Sequence, residues 1–256
     1  MIKTFTLGYN TPFSIAARLR AMGEYAKGHT AIDLGFPILS DNPSIGDVEK
    51  NKYLTSEAIL KYCFTYHAQY MRVPNKGVSQ NWSTAFRELQ VGLDDVLVGI
   101  EPDEVCDNYD WIPKVGEIME ADKKMAVVSL NTDGHQSMIE NGQLKHTVEY
   151  IAGHKVYVIH GLSNWAMIAV SGRFLHRCEG MPVPKGYSVY GHIESACYPH
   201  IIDGGYRWCI LADHFCQHIE TSKLYREYKT DVTSGEFTER KQITFDKWLE
   251  LKKATQ

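Results

Sequence analysis

Six cysteines are spread along the 256 residues, and no two of them form a C-x-x-C pair. That spacing argues against a four-cysteine zinc knuckle. The H-E-x-x-H pattern of helical zinc proteases is also missing. No stretch approaches the ~20 apolar residues of a membrane span. The opening residues, Met1-Ile2-Lys3-Thr4-Phe5-Thr6, lack the apolar run of a signal peptide. A cytoplasmic protein with mostly reduced thiols is therefore expected. Neither sign of charge dominates: the net charge is -4. Nothing pulls the whole molecule toward nucleic acid, although a local basic groove stays open. There is no internal repeat and no low-complexity segment.

What remains is the composition of an ordinary globular protein, 44% hydrophobic and 23% charged. The length allows one large α/β domain or two small ones, with a substantial core. Residues 2–7 read as a first strand, followed by a Gly8-Tyr9-Asn10-Thr11-Pro12 turn. Residues 13–25 read as a helix, with Ile15, Ala16, Leu19 and Met22 on one face, Thr11 as its cap and Pro12 at its first position. Residues 30–35 form a second strand with Asp33 near its end. Helices are expected over 56–71 and 81–90, and further strands over 125–130, 155–160, 165–170 and 206–212. Strand alternating with helix is the pattern of a parallel, doubly wound sheet. No linker divides the chain. One domain over 1–222 is expected, with a charged helical extension over 223–256 in which 245–252 is amphipathic.

The stretch richest in chemical information is residues 95–104, Asp-Val-Leu-Val-Gly-Ile-Glu-Pro-Asp-Glu. A Val- and Leu-rich run suits a buried strand, and Pro102 cannot donate to a ladder, so the strand stops there. Glu101, Asp103 and Glu104 then gather at a strand's carboxyl end, where open α/β sheets bind ligands. Carboxylates there suit a divalent cation that holds a phosphate. The plainer alternative is a solvated turn, since Pro-Asp-Glu commonly closes a strand.

Three other groups stand out. Asn75-Lys76-Gly77 precedes Asn81 and makes either a plain loop or a turn that approaches a nucleotide. Glu194, in Tyr190-Gly191-His192-Ile193-Glu194, follows the Pro- and Gly-rich residues 181–186. A carboxylate in a cleft serves as general base for a hydroxyl. His214 and His218, four apart beside Asp213, would share one face of a helix and suit a metal, or be ordinary imidazoles.

In order along the chain, these pieces resemble the nucleotide-sugar glycosyltransferases of the GT-A fold, most closely the family-two type. The matching residues run from Tyr9-Asn10 after the first strand, through Asp33, Asn75, Gly77 and Asn81, to Glu101-Pro102-Asp103 in place of the usual Asp-x-Asp. Gly172-Arg173-Phe174 loosely matches a later motif. Gly191-His192-Ile193-Glu194 takes the place of Gly-x-Glu-Asp, with Ile193 where the first acid belongs, and Gly205-Tyr206 and His218 follow. The resemblance covers residues 2–220 and rests on order and spacing rather than on any single motif.

It implies an α/β, Rossmann-related, mixed and mostly parallel sheet flanked by helices. It implies Mn2+ or Mg2+ as cofactor, held by Asp103 and His218, with His214 in reserve and Glu104 left at the surface. Tyr9, Asp33, Asn75, Gly77 and Glu101 would bind the nucleotide of a donor such as a UDP-sugar. Glu194 would take the acceptor's proton, giving inversion. The acceptor stays open. A hydroxymethylated DNA base is one candidate, to be met by Trp82, Arg87, Arg173, His176, Arg177, Lys185 and Tyr187. Two rival readings are a zinc hydrolase or deaminase, from the half-signature His192-Ile193-Glu194, and a binding protein without catalysis.

Overall fold

A computed structural model describes residues 1–8, 12–34, 46–74, 76–101, 104–106, 108–183 and 193–218. Within them the chain alternates strand and helix. First come β1 (Ile2–Gly8), α1 (Pro12–Met22), β2 (Thr30–Asp33), α2 (Gly46–Thr65), β3 (Gln69–Arg72), α3 (Val78–Glu88), β4 (Val96–Gly99) and the short β5 (Glu104–Cys106). Next are α4 (Trp111–Ala121), β6 (Met125–Asn131), α5 (Asp133–Glu140), β7 (His146–Ile151), β8 (His154–Ile159) and β9 (Ile168–Ser171). Last are α6 (Gly172–Arg177), α7 (Ile193–Asp203) and β10 (Arg207–His218). The extension expected over 223–256 lies outside the described residues.

The sheet order is β3-β2-β1-β4-β9-β6-β10-β8-β7, with β5 paired to β10 off this path. Strands β3, β2, β1 and β4 run parallel. Strand β9 runs against both β4 and β6, so β6 and its parallel neighbour β10 point the same way as β4. This is the expected mixed sheet flanked by helices. Every residue of β2, β4, β6 and β9 is buried, as strands covered on both faces must be. Alternation sorts β4 between the two faces: Val96 and Val98 join α1 and α4, whereas Leu97 joins α3 and α6.

Three expectations about elements need correction. The helix expected over 56–71 begins earlier and stops at Thr65. His67 turns left-handed at φ 56, and the Ala68 N–H reaches back to the Cys63 carbonyl at 2.9 Å. The next residues then form β3, the edge strand of the parallel half. The strand expected over 165–170 starts only at Ile168. His214 and His218 lie on a strand, not on a helix.

Strand β10 is irregular where it matters. Leu211 pairs with Leu130, yet the next partner, Asn131, pairs with Phe215, so the residues between bulge outward. The Asn131 side-chain amide donates to the Ala212 carbonyl at 3.2 Å, and Lys114 Nζ donates to His214 Nε2 at 2.7 Å. Burial and Lys114 lower the His214 pKa, which keeps the ring an acceptor. Past the bulge, β10 pairs with β5 instead.

Candidate active site

The carboxyl ends of β1, β2, β4, β6 and β10 share one edge of the sheet. At that edge Gly8 is in register with Asp33, and Phe5 with Gly99. Asp33 is 1% exposed. Its Oδ2 accepts from Ser56 Oγ at 2.5 Å and from Tyr70 OH at 2.8 Å. Burial and the neighbouring Asp33 carboxylate push the Tyr70 phenol up to about 12. A buried carboxylate is tolerable when donors surround it, and α2 and β3 supply them. Neither Ser56 nor Tyr70 was singled out from sequence. Recognising 69–72 as a strand would have placed Tyr70 beside Asp33's own strand.

Strand β4 ends against an indole. A Cβ on Gly99 would sit 2.1 Å from Cζ2 of Trp82, so only glycine fits there. Trp82 is fully buried and edge-on to Phe5, with centroids 4.6 Å apart. It therefore braces the strand that leads to Glu101. The Glu104 N–H donates to the Glu101 carbonyl at 3.4 Å. Asp103 itself, like Tyr9 and Asn75, lies outside the described residues. Gly77 has φ 91, which glycine tolerates, and caps α3. The buried Asn81 side chain accepts from the Lys76 N–H at 3.1 Å, so this turn is held from within the helix that follows it.

Glu104 is not at the surface. It is 2% exposed, and its Oε2 accepts from the Met167 N–H at 2.8 Å. The register of β5 with β10 places Glu104 opposite His218, and Cys106 opposite Cys216. The backbone of His218 thus lies beside the residue that follows Asp103. Glu194, in the first turn of α7, sits at the same edge: its Oε1 accepts from the Trp165 N–H at 3.1 Å. His214 is committed to Lys114, away from that strand pairing.

Of the residues suggested for a nucleic-acid groove, Trp82, Arg173 and His176 do not line this edge. Trp82 is in the core. Arg173 pairs with Asp94, and Gly172 N donates to the Asp95 carbonyl, at the opposite edge of the sheet. His176 Nε2 meets the Val91 carbonyl at 2.8 Å in that same region. Lys185 and Tyr187 lie outside the described residues. Gly172 and Arg173, of the Gly172-Arg173-Phe174 likeness, contact Asp95 and Asp94 at that opposite edge.

No protein-family model matches the chain. No curated protein matches it either. Among solved structures, GalNAc-T7 with UDP, GalNAc and Mn2+ is similar over 87% of this chain and 44% of its own, at 13% identity and a TM-score of 0.53. Glucosyl-3-phosphoglycerate synthase from Mycobacterium tuberculosis, in complex with Mn2+, UDP and glucosyl-3-phosphoglycerate, covers 90% of this chain and 75% of its own, at 12% identity and a TM-score of 0.50. The same enzyme with phosphoglyceric acid gives 13% identity and a TM-score of 0.51. The chain has the GT-A fold. It spans less than half the length of the GalNAc-T7 chain.

The GT-A fold makes a divalent cation the group to test against this site. Among the described residues, no cluster of three His, Cys, Asp or Glu side chains gathers. The sequence there still suits such an ion: Glu101 and Asp103 precede β5 in the chain, and residue 218, whose backbone is registered against β5, is a histidine. Carboxylate with imidazole favours Mn2+ over Ca2+. No helix among the described residues is long and apolar enough to cross a membrane.

Proposed function

We propose that this chain is a metal-dependent glycosyltransferase that moves a sugar from a nucleoside diphosphate donor to an acceptor hydroxyl. The observation that carries this reading is the pairing of β5 with the end of β10. It sets His218 in register with Glu104, which follows Glu101 and Asp103 in the chain, on the sheet edge that also holds Asp33 and Glu194. The solved relatives with the same fold carry UDP and Mn2+, which supports a UDP-sugar as the donor here.

In this reading Asp103 and His218 hold the cation and Glu101 assists. When bound, the cation would neutralise charge growing on the leaving diphosphate. Asp33, fixed by Ser56 and Tyr70, meets the base or ribose together with Tyr9 and the Asn75–Gly77 turn. Glu194 takes the acceptor's proton, and a single displacement inverts the anomeric carbon. The Trp165 amide orients the Glu194 carboxylate for that role.

That same hydrogen bond favours one second reading. A carboxylate whose work is to hold a loop suits a nucleotide-sugar binding protein without transfer. The two are separated by assay. Thermal shift with a panel of nucleotide sugars, with and without Mn2+, should show one donor that stabilises only with metal. Asp103→Asn and His218→Ala should each abolish that metal dependence. Glu194→Gln should keep the shift and lose roughly 100-fold or more in turnover. No shift with any donor would remove the glycosyltransferase reading.

A further inference from the structure

Residues 161–167 run from the end of β8 to the start of β9, where they reach the site edge, and side chains from three different elements hold that final stretch. Three consecutive amides donate to side chains rather than to backbone. Trp165 N–H goes to Glu194 Oε1 of α7 at 3.1 Å, Ala166 N–H to Ser129 Oγ of β6 at 2.9 Å, and Met167 N–H to Glu104 Oε2 of β5 at 2.8 Å. The Ala166 carbonyl accepts from Ser129 Oγ at 3.0 Å and from the Leu130 N–H at 2.9 Å. Met167 is held at φ 41, a left-handed conformation that a side chain of its size rarely adopts. Such a conformation persists only where its surroundings over-determine it. Of the three anchors, Glu104 is the one on the acid strand, and it is almost wholly buried.

We propose that Glu104 is a positioning residue that ties the loop 161–167 to β5, so that filling the metal–diphosphate end of the cleft steadies the loop that orients Glu194. The inference rests on the glycosyltransferase reading for its ligand. Its structural half, the bond from the acid strand to the loop, stands on geometry alone. Two carboxylates, one on β5 and one on α7, grip amides two residues apart. A shift of β5 must therefore be felt at Met167 and, through one intervening residue, at the amide that holds Glu194. The donor end and the acceptor end are coupled through a short run of backbone.

The test is amide hydrogen exchange of residues 161–167, with residues 2–8 of β1 as an internal control, using UDP and Mn2+ as the probe. Without ligand, Glu104→Ala should speed exchange at 165–167 by about tenfold or more, the loss expected for a bond to a charged acceptor, and leave residues 2–8 unchanged. Glu104→Gln keeps an acceptor oxygen and should restore most of the protection. In the wild type, UDP with Mn2+ should slow exchange at 165–167 severalfold, and Glu104→Ala should erase that response. If Glu104→Ala does not fold, Glu104→Asp withdraws the carboxylate by one methylene and serves the same comparison.

Unchanged exchange at 165–167 in ligand-free Glu104→Ala, or in Glu104→Asp where it stands in, overturns the clamp. So does equal acceleration at residues 2–8, which marks general loosening. A wild type that binds UDP and Mn2+ by calorimetry, yet shows no response in the loop, overturns the coupling. A wild type that binds neither counts against the proposed function instead, while the ligand-free comparison still decides whether Glu104 holds the loop.

Discussion

Gly99→Ala should destabilise this protein, and the direction of the change is itself the test. Gly99 has no positive φ, so its backbone suits any residue. Without a steric conflict, alanine there would stabilise by about 0.4–1 kcal/mol, because it restricts the unfolded chain. The new Cβ would instead lie 2.1 Å from Cζ2 and 2.5 Å from Cη2 of Trp82. That indole is fully buried and rests edge-on against Phe5, so it has no room to retreat. Overpacking of this kind costs about 1–3 kcal/mol, which exceeds the backbone gain. For a chain of this size the melting point should fall by about 2–12 °C. Urea unfolding followed by circular dichroism would measure the loss, and calorimetry would follow UDP and Mn2+ affinity, since Glu101 is two residues away. Trp82→Phe makes room. It also removes a buried indole N–H that has no partner among the described residues. In that background Gly99→Ala should be neutral or stabilising, and affinity should recover. A Gly99→Ala protein as stable as the wild type would refute the view that Trp82 sets the end of β4.

Two shorter predictions concern buried polar groups. His29 bridges the hydroxyls of Thr4 and Thr6, and burial, with Arg18 nearby, lowers its pKa from 6.5 to about 3. The unfolded chain then takes up a proton that the folded chain refuses, so stability should be full above pH 6.5 and decline as pH falls toward 3. Urea midpoints at pH 7.5 and 4.5 should differ less in His29→Gln, and an equal drop would refute the assignment. Tyr70→Phe removes one donor from buried Asp33 and should cost about 1.5–3 kcal/mol near neutral pH. Because the phenol's pKa is raised from 10.0 to about 12, wild-type stability should fall as pH rises through that window. The variant should lack that alkaline loss, and urea midpoints at pH 9 and 11 would show it.

Elements that carry their own signal were legible from sequence. Strand β4 is an apolar run followed by a proline, β1 is a run that stops at Gly8, and α1 places its apolar residues at helical spacing. Each of these signals lies within one element. What stayed hidden depends on distant neighbours. Strand β3 looked like more helix because the break is made by His67, a residue with no turn signature of its own. Strand β7 alternates only weakly, since it pairs on one side and leaves Val148 and Tyr150 exposed. Strand β5 is three residues long behind a proline, too short for a periodic pattern. His214 and His218 have the spacing of a helical pair. Only the bulge after Leu211, set by pairing with β6, turns the end of that strand toward β5.

The site divides along the same line. Acids at strand ends are visible in sequence because an apolar run marks the strand they follow, and Asp33, Glu101 and Asp103 were all noticed that way. Glu104 was left at the surface because nothing in a sequence marks a glutamate as buried. What buries it is a partner 63 residues away, and that partner is a backbone amide, which every residue but proline possesses. Glu194 was found by spacing, but its hold on the Trp165 amide was equally invisible. Side chains that meet other side chains leave two chemical traces in a sequence. Those that meet backbone leave one, and in this cleft the residues that order the loop are of the second kind. A search by residue type alone would therefore pass over residues 165–167, whose backbone amides are held by side chains of α7, β6 and β5.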